Sequence, residues 1–409
     1  MARTGWIPTT LIWAALFSGE QTSASDLTAI DRAPESTEEK PGPFATLPIT
    51  IILMDDLGYE LLDLASTPNF DALVAGGLNF TRAWVCPVCS PTRAAILTGL
   101  YPTRTGMGTN MAWGEFGDHS LSLGHTTFAE LLPEPVHAFG KWHVSYRHTD
   151  PNTQGFDHYA GSLFNLTGTG TGYYDWLQTV DGVTSNQTTY CTTATTDFAM
   201  NSAAGVRFIA YHAAHTPYDS PPGGTATKPL GKALEMVEFL DQDIGRLLQN
   251  YYGYVFILSD NGTAFRFGGG KGSLMESGIR VPFIVNGPGI TPGTTDELIH
   301  GVDIFATLAE MRGVPHNSPD SLSFLSVMQG GKGLRSYNYS EFFKPNPDTT
   351  NRQWAICNKD YKLTNCYKFA SKNNPISLFA MPAETYILGT DYNKKDRAAY
   401  ADLLANLPF

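Results

Sequence analysis

The sequence predicts an α/β fold: a mixed, mostly parallel sheet with helices on both faces, followed by a small antiparallel unit. Three observations predict it. Short, almost continuous apolar runs read as strands buried on both faces, the mark of a parallel sheet. Amphipathic stretches at helical spacing alternate with those runs, so helices cover the sheet. Beyond about Gly330 the texture changes to short Tyr- and Phe-rich runs broken by Asn, Lys and Pro.

The elements follow in chain order. Arg3 precedes an apolar run from Trp6 to Phe17, and small residues stand at Thr22, Ser23 and Ala24. That order reads as a secretory signal over residues 1–24, cleaved near Ala24. The run is short for a bilayer span; an N-terminal anchor is the weaker alternative. Residues 25–47 are acidic and Pro-containing and read as a flexible leader. Pro48-Ile-Thr-Ile-Ile-Leu-Met54 is the first buried strand. Thr67-Pro68 opens a helix ending at Gly76-Gly77, with Thr67 as N-cap and Pro68 at the first helical position. Gly205 to Tyr211 is the second strand. Ala233 to Gln249 follows as a long amphipathic helix, with Leu234, Val237, Leu240, Ile244 and Leu248 near helical spacing. Tyr254 to Leu258 is the third strand and Ile279 to Val285 the fourth. Ala398 to Leu407 reads as a closing helix. The expected division is a catalytic domain over 48–330 and a small domain with an antiparallel sheet over 331–409.

Lys plus Arg number 27 and Asp plus Glu 39, a formal charge of −12. That balance argues against nonspecific nucleic-acid binding, which needs a basic face. Hydrophobic residues at 42% and charged residues at 16% exclude a disordered chain. The five cysteines are Cys86, Cys89, Cys191, Cys357 and Cys366, an odd number, so at least one is unpaired or chemically special. Cys357 and Cys366 flank a predicted hairpin and are expected to pair in an oxidising compartment. Asn79, Asn165, Asn186, Asn261 and Asn338 open N-x-[ST] sequons.

Asp55 and Asp56 follow the first strand at once. Adjacent carboxylates at a sheet edge repel unless positive charge lies between them. A hard divalent cation with oxygen ligands meets that need; an N-cap or Asx turn is the structural alternative. Asp260 and Asn261 end another strand and offer more oxygens in the same crevice, where such sheets collect ligands. Cys86-Pro-Val-Cys89 has the spacing of a redox motif or half a zinc site, with no second pair nearby.

Cys89-Ser-Pro-Thr-Arg93, followed by Ala94-Ala-Ile-Leu-Thr-Gly99, resembles the signature of the formylglycine-dependent sulfatases, with Thr92 where Ser is commoner. Other segments are similar to that family in the same order. They are Met54-Asp-Asp-Leu-Gly58, Tyr101-Pro-Thr-Arg-Thr-Gly106, Gly140-Lys-Trp-His143, His215-Thr-Pro217, Ser259-Asp-Asn-Gly262, Gly270-Lys-Gly272 with Glu276-Ser-Gly-Ile-Arg-Val-Pro282, and Val302 to Leu308. The resemblance is collinear from about residue 48 to 310. It implies an alkaline-phosphatase-like α/β domain and a small C-terminal α+β domain.

The resemblance also implies roles. Cys89 is oxidised after synthesis to formylglycine, whose hydrate attacks sulfur. Asp55, Asp56, Cys89, Asp260 and Asn261 bind Ca²⁺, with Mg²⁺ as the alternative. Arg93 holds the hydrate, and Lys141 and Lys271 contact sulfate oxygens. His215, with Lys271, protonates the leaving oxygen, and His143 takes the proton that releases sulfate. His137, His148, His158 and His212 are read as structural. Ser162 and Asn165 are both candidates for a further sulfate contact. The partners implied are a sulfated small molecule or polysaccharide and a sulfatase-maturing enzyme, with no nucleic acid and no stable membrane insertion; the protein would be secreted or periplasmic. Segments near 130–140, 201–205 and 250–254 are shortened relative to the family, which would strain the sheet or merely trim loops. The rival readings are a phosphodiester or phosphonate monoester hydrolase on the same scaffold, and a pseudo-sulfatase that binds sulfated glycans.

Overall fold

A computed structural model describes Phe44 and residues 46–111, 119–166, 172–265, 270–366, 376–387 and 389–409. The expected signal, and nearly all of the expected leader, lie outside the described residues. In chain order the first twelve strands are β1 Ile49–Met54, β2 Leu78–Phe80, β3 Ala83–Trp84, β4 Val136–Lys141, β5 His158–Ser162, β6 Trp176–Val180, β7 Val183–Gln187, β8 Val206–Ala210, β9 Tyr254–Ser259, β10 Phe283–Asn286, β11 Gly293–Thr295 and β12 Ile299–His300. Ten of these form one sheet in the order β11-β2-β10-β9-β1-β8-β4-β5-β6-β7, and β12 pairs β3 separately. Its centre, β9-β1-β8-β4-β5, is parallel. β10 and β6 join it antiparallel on either side.

The apolar runs dictate that centre. All six residues of β1 are buried. Strand periodicity sends Ile49, Ile51 and Leu53 into one core and Ile52 and Met54 into the other. The long helix Pro229–Leu248 covers the second core with Ala233, Met236, Val237, Leu240, Ile244 and Leu247. It begins earlier than its apolar spacing indicated because Pro229 takes the first helical position.

Three sequence expectations are corrected. The Thr67 side chain makes no capping bond to the helix Pro68–Gly76. Asp241, on Pro229–Leu248, caps it instead, accepting from Phe70 N at 2.8 Å and Asn69 N at 3.1 Å. The fourth strand does not start at Ile279: Glu276–Ile279 is a helical turn, and β10 begins after Pro282. Cys357 and Cys366 are both free thiols. Strand register explains this. Cys357 faces Lys362, and the same ladder places Thr364 opposite Ala355, so Cys366 runs on past the far end of the hairpin. At ~3.4 Å per residue that offset far exceeds the reach of a disulfide.

The C-terminal sheet has five antiparallel strands, β13 Asn338–Phe342, β14 Gln353–Cys357, β15 Tyr361–Thr364, β16 Ser377–Ala380 and β17 Thr385–Ile387. The closing helix, Lys394–Ala405, starts earlier than expected, at an Asn393 capping box. Leu403 of that helix shares a core with Tyr339, Trp354, Ile356 and Leu363 of the sheet and with Cys86, Ala95, Tyr101 and Val302 of the preceding region. The connections at 132–135, 201–205 and 249–253, where shortening was expected, leave the central strands fully paired.

Candidate active site

Four adjacent parallel strands deliver the site at their carboxyl ends. β1 leads into Asp55 and Asp56, β9 into Asp260 and Asn261, β4 ends at Lys141 just before His143, and β8 leads to His212 and His215. Cys89 opens the helix Cys89–Thr98, in which every residue is buried, and Arg93 lies one turn on.

Cys89 Sγ lies 3.5 Å from Asp55 Oδ1 and 3.2 Å from Lys271 Nζ. Lys271 Nζ is also 2.7 Å from Asp56 Oδ1. Lys141 Nζ pairs with Asp55 Oδ2. One terminal nitrogen of Arg93 donates to Asp260 Oδ2 at 2.9 Å and Asp55 Oδ2 at 3.3 Å. The other donates to Lys141 O at 2.7 Å. Asp56 sits at φ +58°, and its amide donates to Asp260 Oδ1 at 3.3 Å. Asn261 Nδ2 donates to Asp56 Oδ1 at 2.7 Å. His215 Nδ1 lies 2.6 Å from the Thr216 carbonyl, which makes it the protonated nitrogen; Nε2 faces Asp56 Oδ2 at 3.9 Å.

Charge is unevenly settled in this cluster. Burial alone would raise the Asp55 carboxyl, but Lys141, His215, Arg93 and Lys271 outweigh it and hold Asp55 well below the usual range. Asp56 and Asp260 are both raised, by burial and by the neighbouring Asp55 charge. Burial is opposed at Lys271 by Cys89 and the aspartates, which keep its ammonium firmly charged. The Cys89 thiol is pushed far up by burial and then by Asp260 and Asp55. His143 is held neutral by burial and by Lys141 and Arg93, and burial and Lys141 lower His215 to about 4.

The donor set fits a hard cation. Asp55, Asp56 and Asp260 converge although two of them keep residual repulsion. Asn261 Oδ1 is buried with no hydrogen-bond partner. An orphaned buried carbonyl beside carboxylates is an oxygen ligand in waiting. Among the described residues, Asp55, Asp56, Cys89 and His215 bring ligand atoms within 4.8 Å of one another.

A family model for sulfatases matches residues 49–314. The chain belongs to the sulfatase family. A second model, N-sulphoglucosamine sulphohydrolase, C-terminal, matches residues 270–405. Arylsulfatase A of Bos taurus is 29% identical over 384 residues, covering 77% of this chain and 74% of that protein. N-acetylgalactosamine-6-sulfatase of Homo sapiens is 28% identical over 340 residues, covering 68% of this chain and 65% of that protein. Ps i-CgsB, crystallised with k-i-k-neocarrahexaose, matches with TM-score 0.74 at 23% identity, over 88% of this chain and 91% of that chain. BT4656, in complex with D-glucosamine-2-N,6-O-disulfate, matches with TM-score 0.73 at 19% identity, over 88% of this chain and 97% of that chain. At these identities the structures show a shared fold. The relatives make this sulfatase a sulfuric ester hydrolase.

Direct contacts join Asp55, Asp56, Cys89, Arg93, Lys141, His215, Asp260, Asn261 and Lys271 in one cluster. His215, expected from the sequence as a proton donor, also stands among the candidate ligand atoms with Asp55, Asp56 and Cys89. His212 is nearby but engaged, with Nε2 3.2 Å from Phe164 O and Nδ1 3.4 Å from Cys191 Sγ. Ser162 Oγ donates to Phe164 O at 3.1 Å, whereas Asn165 Oδ1 is buried without a partner. Sequence reasoning missed Asn110, whose Oδ1 accepts from Ser90 N at 3.1 Å and so caps the helix beside Cys89. No spacing rule links two residues so far apart in the chain.

Proposed function

We propose that this sulfatase hydrolyses sulfate monoesters of carbohydrates, with a nucleophile made from Cys89 and a divalent cation, Ca²⁺ or Mg²⁺, held by Asp55, Asp56, Asp260 and Asn261. The observation that carries the reading is the placement of Cys89 Sγ between Asp55 Oδ1 at 3.5 Å and Lys271 Nζ at 3.2 Å, at the start of a buried helix. The cation would supply Lewis-acid polarisation of a sulfate oxygen and a lower pKa for the attacking hydroxyl. Formylglycine at Cys89, if formed, would supply a hydrated aldehyde as the nucleophile toward sulfur.

The chain's own residues do the rest. Lys141 and Lys271 reach Asp55 and Asp56 from opposite partners and are the cations available to sulfate oxygens. Arg93 ties Asp55, Asp260 and the Lys141 carbonyl together, fixing the acidic wall. Lys271 carries its proton beside the reacting sulfur position and is the donor best placed for the leaving oxygen. His215 presents a lone pair at Nε2 and must first gain a proton to share that task. His143, neutral and with a buried, unpartnered Nδ1, can accept the proton that accompanies sulfate release.

The wider reading has further support. The relatives include proteins named for a sugar sulfate and crystallised with a sulfated sugar. Cys89 is 0% exposed, so a maturing enzyme has to meet it before this helix packs. The signal-like residues 1–24 support secretion or a periplasmic site; among the described residues no helix is long and apolar enough to cross a membrane. The test compares hydrolysis of a sulfate monoester and a phosphodiester of one phenol. Faster sulfate cleavage is expected. Faster phosphodiester cleavage would transfer the site to the rival chemistry, and binding of sulfated glycan without product would make it a pseudo-sulfatase.

A further inference from the structure

Lys362 lies in β15 of the C-terminal sheet and is 0% exposed. An ammonium leaves water only at high cost unless it is paired. Its Nζ donates to Glu384 Oε1 at 2.6 Å and to Glu276 Oε1 at 3.2 Å, and it lies 4.8 Å from the centre of the Trp84 ring. Glu384 belongs to the turn before β17. Glu276 does not belong to that sheet: it opens the helical turn Glu276–Ile279. Glu384 also accepts from the Glu276 amide at 3.0 Å, and Trp84 Nε1 donates to Glu276 Oε2 at 3.4 Å. Both the side chain and the backbone of Glu276 are therefore gripped.

That turn is bonded in its own right to two segments of the active site. Gly270 N donates to Ser277 Oγ at 3.1 Å, and Gly270 precedes Lys271. Gly262 N donates to the Gly278 carbonyl at 2.9 Å, and Gly262 follows Asn261. A continuous path thus runs from Lys362 through Glu276, Ser277 and Gly278 to the residues that meet Cys89 and Asp56.

We infer that Lys362 is a positioning residue: by holding Glu276 it fixes the turn that presents Lys271 to Cys89 and Asn261 to Asp56. The inference rests on reading Cys89 and Lys271 as the reaction centre. Lys362 itself touches none of the reacting groups. A buried ion cluster adds little net stability over an apolar replacement, and its best-attested use is to fix one arrangement among several. Here that arrangement is the register of residues 270–279 against the sheet.

Two variants test it. The triple variant Lys362→Met, Glu276→Gln, Glu384→Gln removes the three buried charges together and leaves Arg280, which pairs with Glu276 at 3.5 Å and is 34% exposed, to solvent. Lys362→Met alone removes the cation that holds the Glu276 side chain and keeps the Glu384 bond to the Glu276 amide. Both are compared with wild type well below their melting temperatures. The readouts are amide exchange of peptides within 270–280, inhibition by inorganic sulfate, and kcat and KM on an aryl sulfate. The expected result is exchange faster by about tenfold in 270–280 with β1 unchanged. Sulfate inhibition weakens and kcat falls, each by about 10- to 100-fold in the triple variant. Lys362→Met shifts all three in the same direction, and it decides the matter if the triple variant does not fold. Wild-type exchange, sulfate inhibition and kcat in a folded variant overturn the inference. If wild-type protein cleaves no sulfate ester, the proposed function fails, and exchange in 270–280 decides the Lys362 role separately.

Discussion

Lys271 joins the acidic cluster to Cys89, since its ammonium touches both Asp56 and the Cys89 sulfur. Lys271→Ala is expected to lower kcat/KM on an aryl sulfate by about 10²–10³-fold, the scale for losing one preorganised charge at a reacting centre. Steady-state kinetics on the folded variant check this, and a loss below tenfold would remove Lys271 from the chemistry. His300 supplies a pH prediction away from the cluster. Burial and then Arg335 hold it well below the ordinary histidine value, and its Nδ1 accepts from Val302 N at 3.1 Å. A base with a lowered folded pKa binds protons more tightly when unfolded. Its contribution is therefore present above about pH 6.5 and is lost as pH falls below that value. His300→Asn, which keeps an acceptor for Val302, is expected to flatten the fall in melting temperature from about pH 7.5 to about pH 5. An unchanged slope would contradict the assignment. At this scale the carboxylates, Cys89 and Lys141 were legible because each sits at a strand or helix end with a local motif, and Lys271 because it lies in a Gly270-Lys271-Gly272 turn. The partners that orient them, such as Asn110 for Ser90 and Asp241 for Phe70, were not, because nothing local marks a contact between residues so distant in sequence.

At the scale of elements, the carboxyl end of β4 shows how closely the backbone is packed to aim Lys141. Gly140 has φ +85°, and a Cβ there would lie 2.1 Å from the Ala210 carbonyl oxygen of neighbouring β8. Gly140→Ala is expected to cost more than ~2 kcal/mol, from left-handed strain plus displacement of a central strand. Urea unfolding midpoints measure it; a variant as stable as wild type would show that β4 has slack. The elements that could be read from sequence are those whose burial is two-sided. β1, β8 and β9 are fully buried and apolar throughout or nearly so. β5, β6 and β7 escaped because His158, Gln178 and Asn186 interrupt any simple pattern at the sheet margin. The Cys357–Cys366 pairing failed for a related reason: proximity in sequence says nothing of register.

For the whole molecule, three buried carboxylates drawn to one point make folding and cation binding mutually dependent. Ca²⁺ at about 100 times its dissociation constant is expected to add ~2.7 kcal/mol of stability, read as a rise in melting temperature that a chelator reverses. Asp55→Asn should abolish the response; an equal response in that variant would place the ion elsewhere. The architecture itself was legible because a parallel centre requires apolar strands alternating with covering helices. The grip of the C-terminal sheet on residues 270–279 was not, since it depends on one lysine buried between two glutamates. The proposed chemistry depends on Cys89 being the precursor of the nucleophile. It is tested most directly by the mass of the tryptic peptide Ala83–Arg93 from protein made in its own host. A peptide in which the Cys89 thiol is replaced by a carbonyl is expected. Two intact thiols, or a Cys86–Cys89 disulfide, in protein that still hydrolyses sulfate esters would contradict it.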